Sequence, residues 1–363
     1  MSEIKKIAVM TAGGDCPGLN AVIRAVVKTA ITKYNLEVVG IKSGYKGLYH
    51  ADFMPLTEEN TSGILHLGGT ILHSSNKDNL FKYPFEENGK TVYKDVSDVA
   101  VKNLKDNGID AMVIIGGDGT LTSARDYARK GVKVVGVPKT IDNDLAITDY
   151  TFGFDTAVGI ASEAIDRLHT TAASHDRIMV LEVMGRYAGW IALAAGIAGG
   201  ADAILIPEIP YDINKVAEKL KERRKKGKDF SIVVVAEGAK SVTGEMVVLK
   251  VIENSPDPIR LGGVGQKVAE ELEELVGLEA RATTLGHIQR GGTPSSYDRI
   301  LSTRYGCAAV DLLMDGIYGQ MVALINNKMS YVPLEDVIGN NKNVDPSCEF
   351  VKVAKNIGIS FGD

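Results

Sequence analysis

Two short acidic turns, each placed directly after an apolar run, are the parts of this sequence best suited to chemistry. The first is GGDGT at residues 116–120 and the second is PKTIDND at residues 138–144. Phosphoryl transfer needs a carboxylate that holds Mg²⁺ on the phosphates and an acceptor for the proton of the attacking hydroxyl. Asp118 suits the first role, Asp142 suits the second, and Lys139 adds a point cation for phosphate oxygens. Because Asp and Asn are common in ordinary turns, turn formation alone is the alternative interpretation.

A further glycine turn, MTAGGDCPGLN at residues 10–20, follows an apolar run and opens a predicted helix. Gly13 and Gly14 allow the backbone to approach a ligand, and the N–H groups at a helix start favour a phosphate. A turn that only serves the packing of a strand against a helix is the alternative. In open α/β sheets ligands bind at the carboxyl ends of strands, so this turn and GGDGT are expected to face one crevice. Neither turn matches the Walker pattern.

Arginines near the ends of later apolar runs suggest a site for a phosphorylated substrate. Arg177 begins one run and Arg186 follows it in EVMGR, whereas Arg281, His287 and Arg290 lie in RATTLGHIQRGG. A guanidinium group offers paired donors that match phosphate oxygens. These residues therefore predict an anion-binding pocket, and a surface position for each arginine is the alternative.

Short apolar runs without alternation recur along the chain, with helical patterns between them. Such runs are apolar on both faces, which is typical of strands in a parallel sheet covered by helices. The order predicts an α/β protein with doubly wound sheets, and the number of runs predicts two lobes. The runs are 6–10, 37–41, 111–115, 132–137, 177–183, 203–207 and 231–238, and the predicted helices are 19–33, 119–130, 155–170, 187–198, 212–226 and 263–276.

The composition is that of a soluble globular protein. Of 363 residues 45% are hydrophobic and 24% are charged, and the net charge of −5 argues against a general nucleic-acid binder. Residues 188–207 look membrane-like, but Gly199, Gly200 and Asp202 interrupt them, so a buried helix and a buried strand are predicted. Three cysteines and the lack of a recognisable signal peptide predict a reducing, cytoplasmic location without membrane partners.

Taken in order, GGDG, TIDND, EVMGR and RATTLGHIQRGG make the chain similar to the A-type 6-phosphofructokinases of glycolysis. The resemblance implies transfer of the γ-phosphoryl group of ATP to the 1-hydroxyl of fructose 6-phosphate, with Mg²⁺, to give fructose 1,6-bisphosphate. It implies two Rossmann-like lobes with the active site between them, and a homo-oligomer, tetramer or dimer, with sites shared between subunits. The donor lobe would comprise residues 1–153 and 289–338, and the sugar-phosphate lobe residues 154–288 and 339–363.

The resemblance also assigns roles to single residues. Asp142 would be the base, assisted by Thr140, Lys139 and Arg186, and in the family the residues matching Arg177 and Arg281 reach in from a neighbouring subunit. The residues expected on the donor are Gly14, Tyr45, Asn76, Lys77, Gly117, Asp118, Gly119 and Thr120, with Asp118 also on Mg²⁺. Those expected on the sugar phosphate are Thr140, Asp142, Asp144, Arg177, Met184, Gly185, Arg186, Glu237, Arg281, His287 and Arg290, with His287 and Arg290 on the 6-phosphate.

Two positions bear on whether the donor is ATP or pyrophosphate. Lys139 resembles the pyrophosphate-using branch, but that branch usually has Asp where this chain has Gly119. An acid at position 119 would repel the α-phosphate of a nucleotide, and glycine leaves room for it, so ATP is expected and pyrophosphate is the alternative.

Many members of the family have Arg at the position of Asn76, which lacks that charge. Lys77 and Lys139 are the candidate replacements.

Other functions are weaker alternatives. Another acceptor, such as sedoheptulose 7-phosphate, is excluded by no sequence feature. NAD kinases and diacylglycerol kinases also carry a GGDG turn, but they lack the EVMGR and GHIQRGG elements. A non-catalytic sugar-phosphate sensor would not need a base such as Asp142 in addition to Asp118.

Overall fold

Most of the apolar runs form buried strands of two sheets. A computed structural model describes residues 4–76, 78–87, 89–244, 248–251 and 259–363. The strands are β1 (Lys6–Thr11), β2 (Glu37–Ile41), β3 (Phe53–Leu56), β4 (Tyr83–Glu87), β5 (Lys90–Lys94), β6 (Ala111–Gly116), β7 (Lys133–Pro138), β8 (Ile178–Val183), β9 (Ala203–Leu205), β10 (Ser231–Ala236), β11 (Val248–Val251), β12 (Ile259–Leu261), β13 (Ala280–Thr284), β14 (Gln320–Ile325) and β15 (Lys328–Pro333). The helices are α1 (Leu19–Tyr34), α2 (Tyr45–His50), α3 (Ser97–Asp106), α4 (Asp118–Arg129), α5 (Phe154–His175), α6 (Trp190–Ala198), α7 (Ile213–Lys225), α8 (Val264–Val276), α9 (Ser296–Met314), α10 (Leu334–Val337) and α11 (Glu349–Asn356), with a 3₁₀ helix at Gly286–Arg290.

The first compact unit contains Met1–Thr140, Leu145–Gly153 and Arg290–Asn340. Its sheet has the strand order β15-β14-β7-β6-β1-β2-β3. The strands from β14 to β2 run parallel, and β15 and β3 are antiparallel edge strands. Every residue of β6 is buried, so both faces of the sheet are covered at its centre.

The second compact unit contains Ile141–Asp144, Phe154–Gln289 and Asn341–Asp363. It is built on a parallel sheet with the order β13-β8-β10-β9. All residues of β8 and β10 are buried. The acidic turn that carries Asp142 groups with this unit, not with the first.

The α/β fold class with parallel sheets, predicted from the apolar runs, is confirmed. The membrane-like stretch 188–207 forms α6 followed by β9, as its interruptions predict. Among the described residues, no helix combines the length and the apolar character needed to cross a bilayer. Cys16, Cys307 and Cys348 are free thiols.

Helix α9 was not predicted from the sequence, although it packs along α1 in the first unit. Its buried positions include Asp298, Ser302 and Gly306, so apolar residues alone do not trace its helical period. The two helices approach closely at Gly306, because a Cβ atom there would stand 2.8 Å from the carbonyl oxygen of Val22 and 2.7 Å from Cβ of Ala25.

We predict that Gly306→Ala destabilises the protein, against the usual preference of helices for alanine. Alanine gains about 1 kcal/mol of helix propensity, but a clash with the backbone of α1 costs about 1–3 kcal/mol, and we expect a net loss. Calorimetry would measure it. The control is Gly159→Ala in α5, where a Cβ atom meets nothing within 4 Å, so that variant should be stabilised. Equal stabilisation of both variants would contradict the prediction.

Candidate active site

Three parallel strands of the first unit end side by side, and the predicted glycine and acidic turns follow them. Thr11 of β1 lies opposite Ile115 of β6, and Gly116 lies opposite Pro138 of β7. The ladder continues beyond the strands, because the amide of Lys139 donates to the carbonyl of Gly116 over 2.9 Å. The turns predicted on the donor side therefore leave the sheet at one level.

The loop after β1 is fixed by the segment that contains Asn76. The amide of Gly13 donates to the carbonyl of Ser75 over 3.0 Å, and the hydroxyl of Ser74 donates to the carbonyl of Gly13 over 2.5 Å. Gly13 has a φ of +81°, a conformation that favours glycine. Asn76 follows this contact in the chain and is exposed, whereas Lys77 lies outside the described residues.

Two cations converge on the same loop. The ammonium group of Lys139, a residue only 6% exposed, donates to the carbonyl of Gly14. A Cβ atom on Gly14 would lie 2.7 Å from Nη1 of Arg290, and one on Gly13 would lie 3.3 Å from Oγ1 of Thr120. Glycines, a hydroxyl and two cations at strand ends form a cradle suited to phosphate oxygens. We call these five residues the phosphate cradle.

The second glycine turn leads directly into α4. Gly117 precedes the helix and Asp118 is its first residue, with Oδ1 accepting a hydrogen bond of 2.9 Å from the amide of Gly339. A Cβ atom on Gly116 would lie 2.3 Å from Cβ of Thr120, so glycine is required there. Gly119 is different, since it is exposed and a Cβ atom on it would meet nothing within 4 Å.

Tyr45, which was expected to contact the donor, packs inside the first unit, and its role on the donor stays a prediction. Tyr45 is only 3% exposed, and its hydroxyl donates to the carbonyl of Thr120 over 2.8 Å. Burial raises the pKa of this phenol well above its ordinary value. Its ring stacks on that of Tyr127 at a centroid distance of 6.0 Å. Tyr45 therefore supports the first turn of α4 from behind.

In the second unit, the acidic turn Ile141–Asp144 is held by a residue from near the C-terminus. The amide of Lys342 donates to the carbonyl of Asp144 over 2.8 Å, and its ammonium group donates to Oδ1 of Asn143 over 2.9 Å. Asn143 has a φ of +51°, in the left-handed region. The indole of Trp190 donates to the carbonyl of Lys342 over 2.7 Å. Neither Lys342 nor Trp190 was identified from the sequence.

The predicted sugar-binding residues at the end of β8 lie together with the end of β10. Gly185, with a φ of +138°, accepts a hydrogen bond of 3.1 Å from the amide of Gly238. A Cβ atom on Gly238 would lie 2.0 Å from the carbonyl oxygen of Arg186. This packing brings Met184, Gly185 and Arg186 next to Glu237.

A fully buried glutamine links this strand end to the 3₁₀ helix that carries His287. Oε1 of Gln289 accepts a hydrogen bond of 2.8 Å from the amide of Met184. His287 is exposed at the surface of the second unit. Arg290, which was expected with His287 on the 6-phosphate, groups with the first unit and lies against Gly14; its role on that phosphate stays a prediction.

The two arginines expected to serve a neighbouring subunit share one carboxylate. Nε of Arg177 donates to Glu279 over 2.6 Å, and Nη2 of Arg281 donates to the other oxygen of the same group. The three side chains are 30%, 57% and 37% exposed for Arg177, Arg281 and Glu279, respectively. β13, which carries Arg281, is an edge strand. Glu279 was missed because a single glutamate in a polar stretch carries no pattern.

Two parallel sheets with glycine-lined strand ends, cations and carboxylates are typical of α/β enzymes that bind phosphorylated ligands. Residues 6–313 match the family model described as phosphofructokinase, and the chain belongs to that family. It is 67% identical to "ATP-dependent 6-phosphofructokinase 2" of Clostridium perfringens, with all of both chains covered. It is 48% identical to "Pyrophosphate--fructose 6-phosphate 1-phosphotransferase" of Streptomyces coelicolor, with 98% of this chain and 100% of the relative covered.

A solved structure agrees with this assignment. The phosphofructokinase from Saccharomyces cerevisiae superimposes with a TM-score of 0.78 at 33% identity. The match covers 97% of this chain and 46% of the yeast chain, so this chain spans less than half of that length.

We predict that Tyr45→Phe lowers the stability of the ligand-free protein by about 1 kcal/mol, because the carbonyl of Thr120 loses a buried donor. A phenol that only contacted a ligand would not have this effect. Thermal unfolding without nucleotide measures it, with Tyr93→Phe as the control, since Tyr93 is 54% exposed. Unchanged stability together with a weaker affinity for the donor would contradict this prediction and favour direct contact with the donor.

Proposed function

We propose that this chain transfers the γ-phosphoryl group of ATP to the 1-hydroxyl of fructose 6-phosphate, a cytoplasmic step of glycolysis. The observation that carries the proposal is the phosphate cradle at the ends of β1, β6 and β7. The 67% identical relative named as an ATP-dependent 6-phosphofructokinase supports the same reaction.

On the donor side, the cradle supplies positioning and charge. The backbone at Gly13 and Gly14 accommodates the phosphates, and the start of α4 offers N–H groups to them. Lys139 and Arg290 neutralise the charge that spreads over the phosphoryl oxygens during transfer. Asn76 contributes a neutral contact at most, so Lys139 is the best placed described residue to replace the arginine common in the family.

Asp118 fits the role of the Mg²⁺ ligand. Among the residues described, no group of three or more His, Cys, Asp or Glu could hold a metal ion by itself. Mg²⁺ is usually bound by one or two carboxylates together with substrate phosphates and waters, so a single aspartate at the start of α4 is sufficient. When bound, the ion would shield the donor's phosphate charges.

On the acceptor side, Asp142 takes the proton of the attacking hydroxyl. Thr140 and Asp144 flank it in the sequence and contact the same sugar. Met184, Gly185, Arg186 and Glu237 hold the sugar, and His287 contacts its phosphate. Orientation of the hydroxyl accounts for much of the acceleration, because well-placed reactants avoid an entropic cost.

Pyrophosphate is the second candidate donor, and two observations favour it. Lys139 resembles that branch of the family, and the Streptomyces relative is named for pyrophosphate. ATP is favoured because the space around Gly119 is open, which suits a nucleotide's α-phosphate. We infer that Gly119 sets the donor.

We also propose that the enzyme is a homo-oligomer. Arg177 and Arg281 lie partly exposed at an edge of the second unit's sheet and are held side by side by Glu279. That arrangement supports the proposal that the two arginines bind the substrate of a neighbouring subunit.

We predict that Asp142→Asn lowers kcat by about 10²-fold or more, since the attacking hydroxyl loses its proton acceptor. The amide keeps the shape of the side chain, so the affinity for ATP should not change. A coupled assay of fructose 6-phosphate turnover and calorimetric ATP titration measure the two effects. Asp229→Asn, an exposed aspartate of the second unit, is the control. Full turnover by Asp142→Asn would overturn the assignment of the base.

We predict that Gly119→Asp lowers kcat/KM for ATP by about tenfold to a hundredfold, because the carboxylate repels the α-phosphate. Activity with pyrophosphate should fall less or rise, because pyrophosphate has no counterpart of the α-phosphate. An aspartate in the first turn of a helix is favourable, so misfolding is not the expected cause. Gly119→Ala controls for size alone. Equal losses with both donors would contradict the prediction.

A further inference from the structure

We propose that Lys342 is a positioning residue for the catalytic turn Ile141–Asp144. This inference rests on the proposed function, in which Asp142 of that turn is the base. Lys342 lies beyond residues 6–313, the part of the chain that matches the family model. The role is therefore argued from the contacts of this chain alone.

Lys342 is attached to the turn at two points. Its backbone amide donates to the carbonyl of Asp144 over 2.8 Å, and Nζ donates to Oδ1 of Asn143 over 2.9 Å. Asn143 lies between two aspartates in the sequence, so the ammonium group of Lys342 adds a positive charge to an acidic turn. A cation there offsets the repulsion between neighbouring carboxylates.

Lys342 is itself held in place by the start of α6. The indole N–H of Trp190 donates to its carbonyl over 2.7 Å, and Nζ lies 5.9 Å from the centroid of the indole ring. Two residues later the amide of Val344 donates to Glu208 over 2.8 Å, and Glu208 also accepts a hydrogen bond of 3.0 Å from Gly189. Burial raises the pKa of Glu208. The strap formed by Lys342 to Val344 is thus fastened to the residues that follow Arg186.

The turn needs such support because of its backbone. Asn143 has a φ of +51°, a left-handed conformation that an ordinary residue adopts only when its surroundings hold it there. Asparagine tolerates this conformation, and a donor on its side-chain oxygen fixes the rotamer. Without Lys342, the turn gains freedom, and the carboxylate of Asp142 loses its fixed position relative to the hydroxyl.

The test is Lys342→Met, which keeps the length of the side chain and removes the donor. We expect kcat to fall by about tenfold or more, since small displacements of catalytic groups have large effects on rate. The KM values for ATP and fructose 6-phosphate should change by less than about twofold. Lys342→Arg, which retains a cationic donor, should recover most of the rate. The matched control is Lys352→Met, an exposed lysine of the same C-terminal segment. An unchanged kcat in Lys342→Met would overturn the proposal.

A second variant decides the matter if Lys342→Met folds poorly. Asn143→Gly accepts the positive φ without strain and deletes the oxygen on which Lys342 acts. It should lose kcat to the same degree, and the double variant should lose no more than either single one. Full activity of Asn143→Gly, or losses that multiply in the double variant, would show that Lys342 does not act through this turn.

One readout is independent of the reaction. Trp190 is the single tryptophan of the chain, so its fluorescence reports directly on the strap. Lys342→Met should shift or brighten the emission of the ligand-free protein, and Lys352→Met should not. Absence of kinase activity in the wild-type protein would contradict the proposed function. Unchanged emission in Lys342→Met would independently contradict the proposed role of Lys342 in the strap.

Discussion

In-register pairing of β1, β6 and β7 is the constraint on which the phosphate cradle depends. Because the three strands end at one level, the turns that follow them lie close together. The space between these turns limits the size of the side chains there. Gly116 leaves room for Thr120, and Gly14 leaves room for Arg290. The result is a site made mostly of backbone, in which Lys139 and Arg290 supply the charge.

In the second unit, the turns at the strand ends are held by side chains from distant parts of the sequence. Gln289 and Glu208 hold the residues that follow β8, and Lys342 holds the turn Ile141–Asp144. Each uses a polar group on a backbone amide or a neighbouring side chain, so the residues predicted to bind the sugar are held by hydrogen bonds. A site that must orient a hydroxyl group to a fraction of an ångström benefits from such hydrogen bonds.

Local patterns in the sequence predicted much of the fold. The features that they did not predict depend on contacts between residues far apart in the sequence. Apolar runs and glycine turns predict β1, β6, β7, β8 and β10, because a buried parallel strand leaves a continuous signal. The hydrogen bond from the buried hydroxyl of Tyr45 to the carbonyl of Thr120 was missed, since nothing in the sequence reveals it. Lys342 meets Asn143 across 199 residues of sequence and lies in a polar stretch without periodicity. Supporting residues of this kind become visible only when the chain is folded.

The chain passes repeatedly from one unit to the other, at residues 140, 144, 153, 289 and 340. During synthesis on a ribosome, therefore, neither unit can be finished early. β7 receives its outer neighbour β14, and α1 receives α9, only after residues beyond 296 have emerged. Until then the nascent chain carries an open strand edge and an uncovered apolar helix, both of which invite aggregation. We therefore expect the growing polypeptide to depend on chaperones for most of its translation.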